Sequence, residues 1–76
     1  MPKAVREKEL VTLAKRFRKQ VGITRAQAAR DMKVSQTSIF HAEETPEQAL
    51  VKLRIRMIEA YSPHKVTGAF YFLSGE

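Results

Sequence analysis

The chain contains no cysteine. Disulfides, thiolate metal sites and a cysteine nucleophile are therefore excluded, and a reducing compartment is compatible with that absence. Glycine is scarce, with three residues in 76, and none forms a Gly-rich phosphate loop. The only histidines are His41 and His64, far apart in the chain, so no nucleophile–base pair can be assembled. His41 with Glu43 and Glu44 makes a poor metal site, because those spacings do not converge on one helical face. No enzymatic activity, cofactor or metal is expected. Long apolar runs are missing too. The longest uncharged, apolar-leaning run covers residues 66–73, far short of the roughly 20 residues that a membrane helix needs. The opening "MPKAVREKEL" carries charges where a signal peptide would carry its apolar core, so a cytoplasmic location is expected.

Acidic residues are also in short supply. Fourteen Lys and Arg face eight Asp and Glu, giving a net charge of +6 and a pI near 10.1. Nucleic acid is the commonest partner of so basic a small domain. The competing reading is that the charge only keeps the protein soluble. With 43% hydrophobic and 29% charged residues, the composition is that of a folded globular chain. Residues 1–76 are read as one domain. A domain this short buries only about 60% of its unfolded surface, so its stability is modest or shared with a partner chain.

What is present is helical periodicity. Over residues 5–20, Leu10, Leu13, Phe17 and Val21 recur at three- and four-residue spacing, with Ala14 on the same face. Lys15, Arg16, Arg18 and Lys19 crowd the last turns, where cations suit the helix dipole. Gly22 ends the helix as a left-handed C-terminal cap. Thr24 is a good N-cap for "RAQAARDM", residues 25–32, and Gln27 can complete a capping box. Its inward positions are Ala28, Ala29 and Met32, small enough to let another helix approach. Lys33 and Val34 form a break, and Ser35 caps a third helix over residues 36–43 with Ile39 and Ala42 inward. "TPEQ" then reads as a start signal, with Thr45 as N-cap and Pro46 at the first helical position. The spacing predicts a fourth helix over residues 46–61, with Leu50, Leu53, Met57, Ile58 and Tyr61 as its core stripe. Val51 and Ile55 lie on a different face. "YSPHK" breaks this helix at Pro63. The tail "VTGAFYFLSGE" is ambiguous: Val66, Phe70, Tyr71 and Phe72 favour a strand, whereas Thr67 as a cap with Phe70 and Leu73 favours a short helix.

The middle of the chain, "GITRAQAARDMKVSQTSIFHAE", has the pattern of a helix-turn-helix. An Ala-bearing helix is followed by a short turn, and Ser-Gln-Thr-Ser-Ile opens the second helix. The pattern resembles the phage repressor and Cro family, also called the XRE family, and the likeness extends over most of the chain. Arg18 stands where that family often carries an Arg paired with a Glu ending the recognition helix, which is Glu43 here. The tail "FYFLSGE" resembles the family's closing short fifth helix. The resemblance implies an all-α, compact five-helix lambda-repressor-like domain around a central helix-turn-helix. Two departures stand out. Lys33 occupies the turn position that usually holds Gly, where a non-Gly residue costs roughly 1 kcal/mol in the left-handed conformation. Ala28 stands where Leu is usual, leaving volume for a neighbour such as Phe17 or Met32 to fill.

The resemblance also implies site residues. Gln36 and Thr37 are expected at base edges, because the N-terminal residues of the recognition helix enter the major groove. Gln can bond bidentately to adenine, and the Thr methyl can touch a thymine methyl. His41, one turn deeper, is a third candidate base reader. Arg25 is expected on a phosphate, with Lys33, Ser38 and Phe40 near the backbone as well. Arg18 with Glu43 is expected to be a structural pair. Tyr61, Phe70 and Phe72 are the expected dimer surface. Each polar candidate also has a plainer reading as a solvated side chain, and His64 reads as loop. The implied function is a sequence-specific transcriptional regulator, most often a repressor in this family. It would bind double-stranded DNA as a homodimer on an inverted repeat, in a bacterial cytoplasm or, for a phage protein, that of the host. The alternative is a protein-interaction module on the same fold, an antitoxin or a phage factor, with Val51, Ile55 and Phe40 touching a protein partner.

Overall fold

A computed structural model describes the backbone over residues 3–67 and 71–74, and side chains over residues 5–66. The described chain is mostly helical. Strand β1 (Lys3–Val5) leads into helix α1 (Glu7–Gln20). Helices α2 (Arg25–Met32), α3 (Gln36–Glu44) and α4 (Val51–Tyr61) follow, and then strands β2 (Lys65–Thr67) and β3 (Tyr71–Ser74).

Local chemistry accounts for the first three helices. At the start of α1, the Glu9 carboxylate reaches back to accept the Arg6 backbone N–H at 2.9 Å. This satisfies one of the donors that a helix N-terminus leaves unpaired. At its end, Gly22 adopts φ 75°, and the Gly22 and Ile23 amides donate to the Lys19 and Arg18 carbonyls, both at 3.1 Å. Val21 is the C-cap residue and lies 51% exposed. It leaves the core stripe expected of it, because the helix stops at Gln20 before a further turn can carry it inward. The Thr24 hydroxyl accepts the Gln27 N–H at 3.1 Å to cap α2. The Ser35 hydroxyl accepts the Ser38 N–H, also at 3.1 Å, to cap α3.

The fourth helix starts later than "TPEQ" suggests. Thr45 is the C-cap of α3, its N–H donating to the His41 carbonyl at 3.0 Å. The Gln48 amide then closes a turn on the Thr45 carbonyl at 3.1 Å, and that carbonyl also accepts from Arg54 at 2.8 Å. The Thr45 hydroxyl lies 3.0 Å from His41 Nδ1 instead of on a following amide, so it caps no helix, and α4 begins at Val51.

The expected fifth helix is corrected to a strand. Tyr71–Ser74 is the middle strand of a three-stranded sheet ordered β1-β3-β2, antiparallel on both sides. Val5 pairs with Tyr71, Ala4 with Phe72, and Val66 with Leu73. The physical reason is twofold. Tyr and Phe favour strands, and a central strand satisfies backbone groups on both edges, which one helical turn cannot do. Among the described residues, the expected five-helix lambda-repressor-like architecture is thereby replaced by four helices and a small sheet.

The core lies between α1 and α4, with α2 and α3 packed against each other and α3 against α1. Leu10, Leu13, Ala14 and Phe17 of α1 meet Leu53, Met57 and Ile58 of α4. Ala28, Ala29 and Met32 of α2, Ile39 and Ala42 of α3, and Val5 of β1 complete it. Leu10, Ile39, Met57 and Ile58 are fully buried, and each such side chain contributes about 1.5–3 kcal/mol of transfer free energy.

Candidate nucleic-acid interface

Helices α2 and α3 are joined by residues 33–35. Lys33 takes the left-handed conformation, φ 60° and ψ 45°. Its N–H donates to the Arg30 carbonyl at 3.3 Å, and the Val34 N–H donates to the Ala29 carbonyl at 3.0 Å. This is the bonding that ordinarily ends a helix on glycine. Here a lysine carries it, with its side chain exposed.

The inner side of α3 is fixed by charge as well as by packing. Glu43 is 3% exposed and Arg18 7%. Arg18 grips the carboxylate with two nitrogens: Nε donates to Oε2, and Nη2 donates to Oε1 at 3.0 Å. Its Nη1 donates to the Ile23 carbonyl at 2.6 Å, tying the α1–α2 connection to the same guanidinium. Arg25 Nε also donates to Glu43 Oε1 at 3.1 Å, and Arg25 Nη2 donates to Glu44 Oε2 at 2.8 Å. Lys15 Nζ reaches that Glu44 oxygen at 2.5 Å. The Lys15 hydrogen bond, ahead of the weaker pull of Arg25, holds the Glu44 carboxyl below the usual carboxylate range. Two neighbouring carboxylates at the end of α3 thus gather three cations from α1 and α2.

A second clamp acts from α4, and sequence periodicity did not single it out. Arg54 is fully buried. Its Nε donates to the Ala42 carbonyl at 3.0 Å, and its Nη2 donates to the carbonyls of Thr45 at 2.8 Å and His41 at 3.5 Å. The guanidinium therefore caps the C-terminal carbonyls of α3, where a cation also suits the dipole. Burial pulls its pKa down, opposed by the Glu7 charge. Among the described residues, Nη1 has no hydrogen-bond partner. The signal was present in the sequence. Position 54 lies four after Leu50, three before Met57 and four before Ile58, on the core stripe itself.

With its back held, α3 turns Gln36 and Thr37 outward. Both are exposed, and among the described residues neither side chain is hydrogen-bonded. Phe40 is 44% exposed, with the Arg25 guanidinium 5.2 Å over its ring and the His41 ring edge-on at 5.5 Å. Arg25 is thus placed between a carboxylate pair and an aromatic face along one flank of α3. Its guanidinium has five N–H donors, and those not facing Glu43 and Glu44 remain available. His41 is half-buried, and its Nδ1 lies 3.0 Å from the Thr45 hydroxyl. Ser38 is half-buried on the opposite flank, its hydroxyl 3.1 Å from that of Ser35.

The expected dimer residues are placed differently from one another. The Tyr61 hydroxyl donates to Asp31 Oδ2 at 2.7 Å, tying α4 to α2. Burial pushes the Tyr61 phenol up, while the bond from Tyr61, followed by that from Gln27, holds Asp31 below its ordinary value. Phe72 lies in β3 by its backbone, and Phe70 lies outside the described residues. His64 packs against the Phe17 ring at 5.5 Å. Among the described residues, no group of three His, Asp or Glu could hold a metal, and no helix is long and apolar enough to cross a membrane. No family model, no curated protein and no solved structure matches this chain.

Proposed function

We propose that the chain is a sequence-specific DNA-binding regulator, a repressor acting as a twofold dimer on an inverted repeat. In this reading α2, the turn and α3 form a helix-turn-helix of the phage repressor and Cro kind, here carried on four helices and a sheet. One observation carries the reading: two adjacent polar side chains, Gln36 and Thr37, stand exposed and unbonded at the N-terminal end of a helix whose back is held by buried Arg18, Glu43 and Arg54. Two charged clamps hold this helix in one position. Such a fixed position suits a helix that presents side chains to base edges, since a misplacement of about 1 Å is enough to lose directional hydrogen bonds.

In this reading the roles are those that the family resemblance implies. Gln36 reads adenine through its amide, and the Thr37 methyl meets a thymine methyl. His41, one turn further along, reaches the groove wall. Arg25 turns its free N–H donors to a phosphate beside the start of α2, with Phe40 beneath it as a platform, and Lys33 and Ser38 meet the backbone near the turn. The net charge of +6 supplies the sequence-independent attraction. Half-sites one helical turn apart, roughly 34 Å, would suit the twofold dimer. Regulation then follows from operator occupancy.

Selection of bound duplexes from a random pool, followed by gel shifts, tests this. Gln36→Ala should relax preference at one base pair and cost about 1–3 kcal/mol there. Arg25→Ala should weaken every sequence alike. Preference and affinity both unchanged in these variants would remove α3 from the groove.

A further inference from the structure

We propose that the groove between the start of α4 and the outer shoulder of α3 docks an acidic peptide segment of a partner protein, anchored by an apolar side chain. This goes beyond the DNA reading and stands without it.

The groove has a volume of about 460 Å³, within the roughly 300–1,000 Å³ of sites that hold ligands. Its walls are apolar: Val34 from the turn, Leu50 just before α4, and Val51 and Leu53 from α4. Its charged lining is of one sign. Lys52 and Arg56 border it, and no carboxylate does. Among the described residues, neither cation has an acidic partner. Arg56 spends one donor on the Met32 carbonyl at 2.8 Å, which fixes the guanidinium and leaves its other N–H groups free. The molecule provides its own contrast. A groove of similar size beside α1, about 440 Å³, holds Lys15, Arg16 and Lys19 together with Glu43 and Glu44. There Lys15 is paired with Glu44 at 2.5 Å and two carboxylates line the wall; the α4 groove has cations and no carboxylate.

Charge complementarity therefore names the occupant. Lys52 and Arg56 call for anions, and the walls between them call for an apolar group. A peptide that places a Leu- or Phe-like side chain between Asp or Glu residues meets both demands. A duplex backbone meets only the first, because a phosphate chain has nothing apolar to fill the walls. Val34 and Ser38 belong to the turn and to α3, so a docked segment would lie on the shoulder beside Gln36 and Thr37.

The test is selection on the full chain from a phage-displayed library of random 12-residue peptides. The enriched sequence is then synthesised with a fluorophore and followed by anisotropy. The expected result is a consensus of apolar residues flanked by Asp or Glu. Its affinity should fall at least tenfold in Ala49→Trp, which fills the groove from an exposed lip. The fall should be similar in the double variant Lys52→Glu with Arg56→Glu. A double variant of equal charge elsewhere, Lys8→Glu with Lys19→Glu, should change it less than twofold, and circular dichroism should show all three folded. Absence of an enriched peptide overturns the proposal, as does a consensus without acidic residues. Unchanged binding to Ala49→Trp, or to the double variant should Ala49→Trp not fold, overturns it too. So does a result in which charge reversal at Lys52 and Arg56 weakens duplex DNA while no peptide is selected, because those cations would then serve the DNA face.

Discussion

Glu43 is the residue on which the helices converge. Its carboxylate is buried, yet Arg18 and Arg25 both reach it. A buried pair of this kind adds little over an apolar pair of equal volume, but removing one partner strands the other charge. Glu43→Gln is therefore expected to destabilise the domain by about 3 kcal/mol, read as a lower urea midpoint with an unchanged m-value. A loss under 1 kcal/mol would mean that Arg18 finds water instead. Arg54 poses the opposite case, a buried cation facing carbonyls. Arg54→Met keeps the bulk but leaves the Ala42 and Thr45 carbonyls without that donor, and should cost about 2–4 kcal/mol. Stability equal to that of the parent chain would show that the carbonyls are satisfied without it. Of these roles, the Arg18–Glu43 pair was readable from a family pattern. Arg54 was legible only as a position on a stripe, because a periodicity that follows apolar residues passes over a charge.

At the scale of elements, helix ends decided where local reasoning held. Thr24 and Ser35 cap α2 and α3 as their sequence suggests, because an N-cap bond is made within three residues and needs no tertiary partner. "TPEQ" has the same signature, but the Thr45 hydroxyl is engaged by His41 at the end of α3 and caps no following amide, and α4 starts at Val51. Gly22 and Lys33, both left-handed, offer a paired test. At Gly22 an added Cβ would meet nothing within 4 Å, so Gly22→Ala should cost about 1 kcal/mol through backbone strain alone. Lys33→Gly should relieve strain at the other left-handed position and gain up to about 1 kcal/mol, less the entropy that glycine adds to the unfolded chain. Thermal melts of both variants check this, and a Gly22→Ala melting temperature equal to the parent's would contradict the assigned φ.

For the whole molecule the net charge of +6 sets the long-range behaviour. If a bound dimer neutralises about six phosphates, its DNA affinity should fall about 10³-fold between 50 and 200 mM salt. A peptide held in the α4 groove by two cations and an apolar anchor should respond far less. Titrations of both ligands across that salt range check the contrast, and a flat DNA response would leave the phosphate contacts without support.

The sequence by itself determined the charge, three of the four described helices to within two residues, and the caps of α2 and α3. All of these depend on contacts within a few residues or on composition. Only the tertiary structure decided that the tail is strand β3, since a strand exists through its partners β1 and β2. It likewise decided the burial of Arg54, the late start of α4, and the uncompensated cations at the groove. Each of these depends on which side chain from a distant part of the chain arrives at a given carbonyl or carboxylate, and no local pattern encodes that.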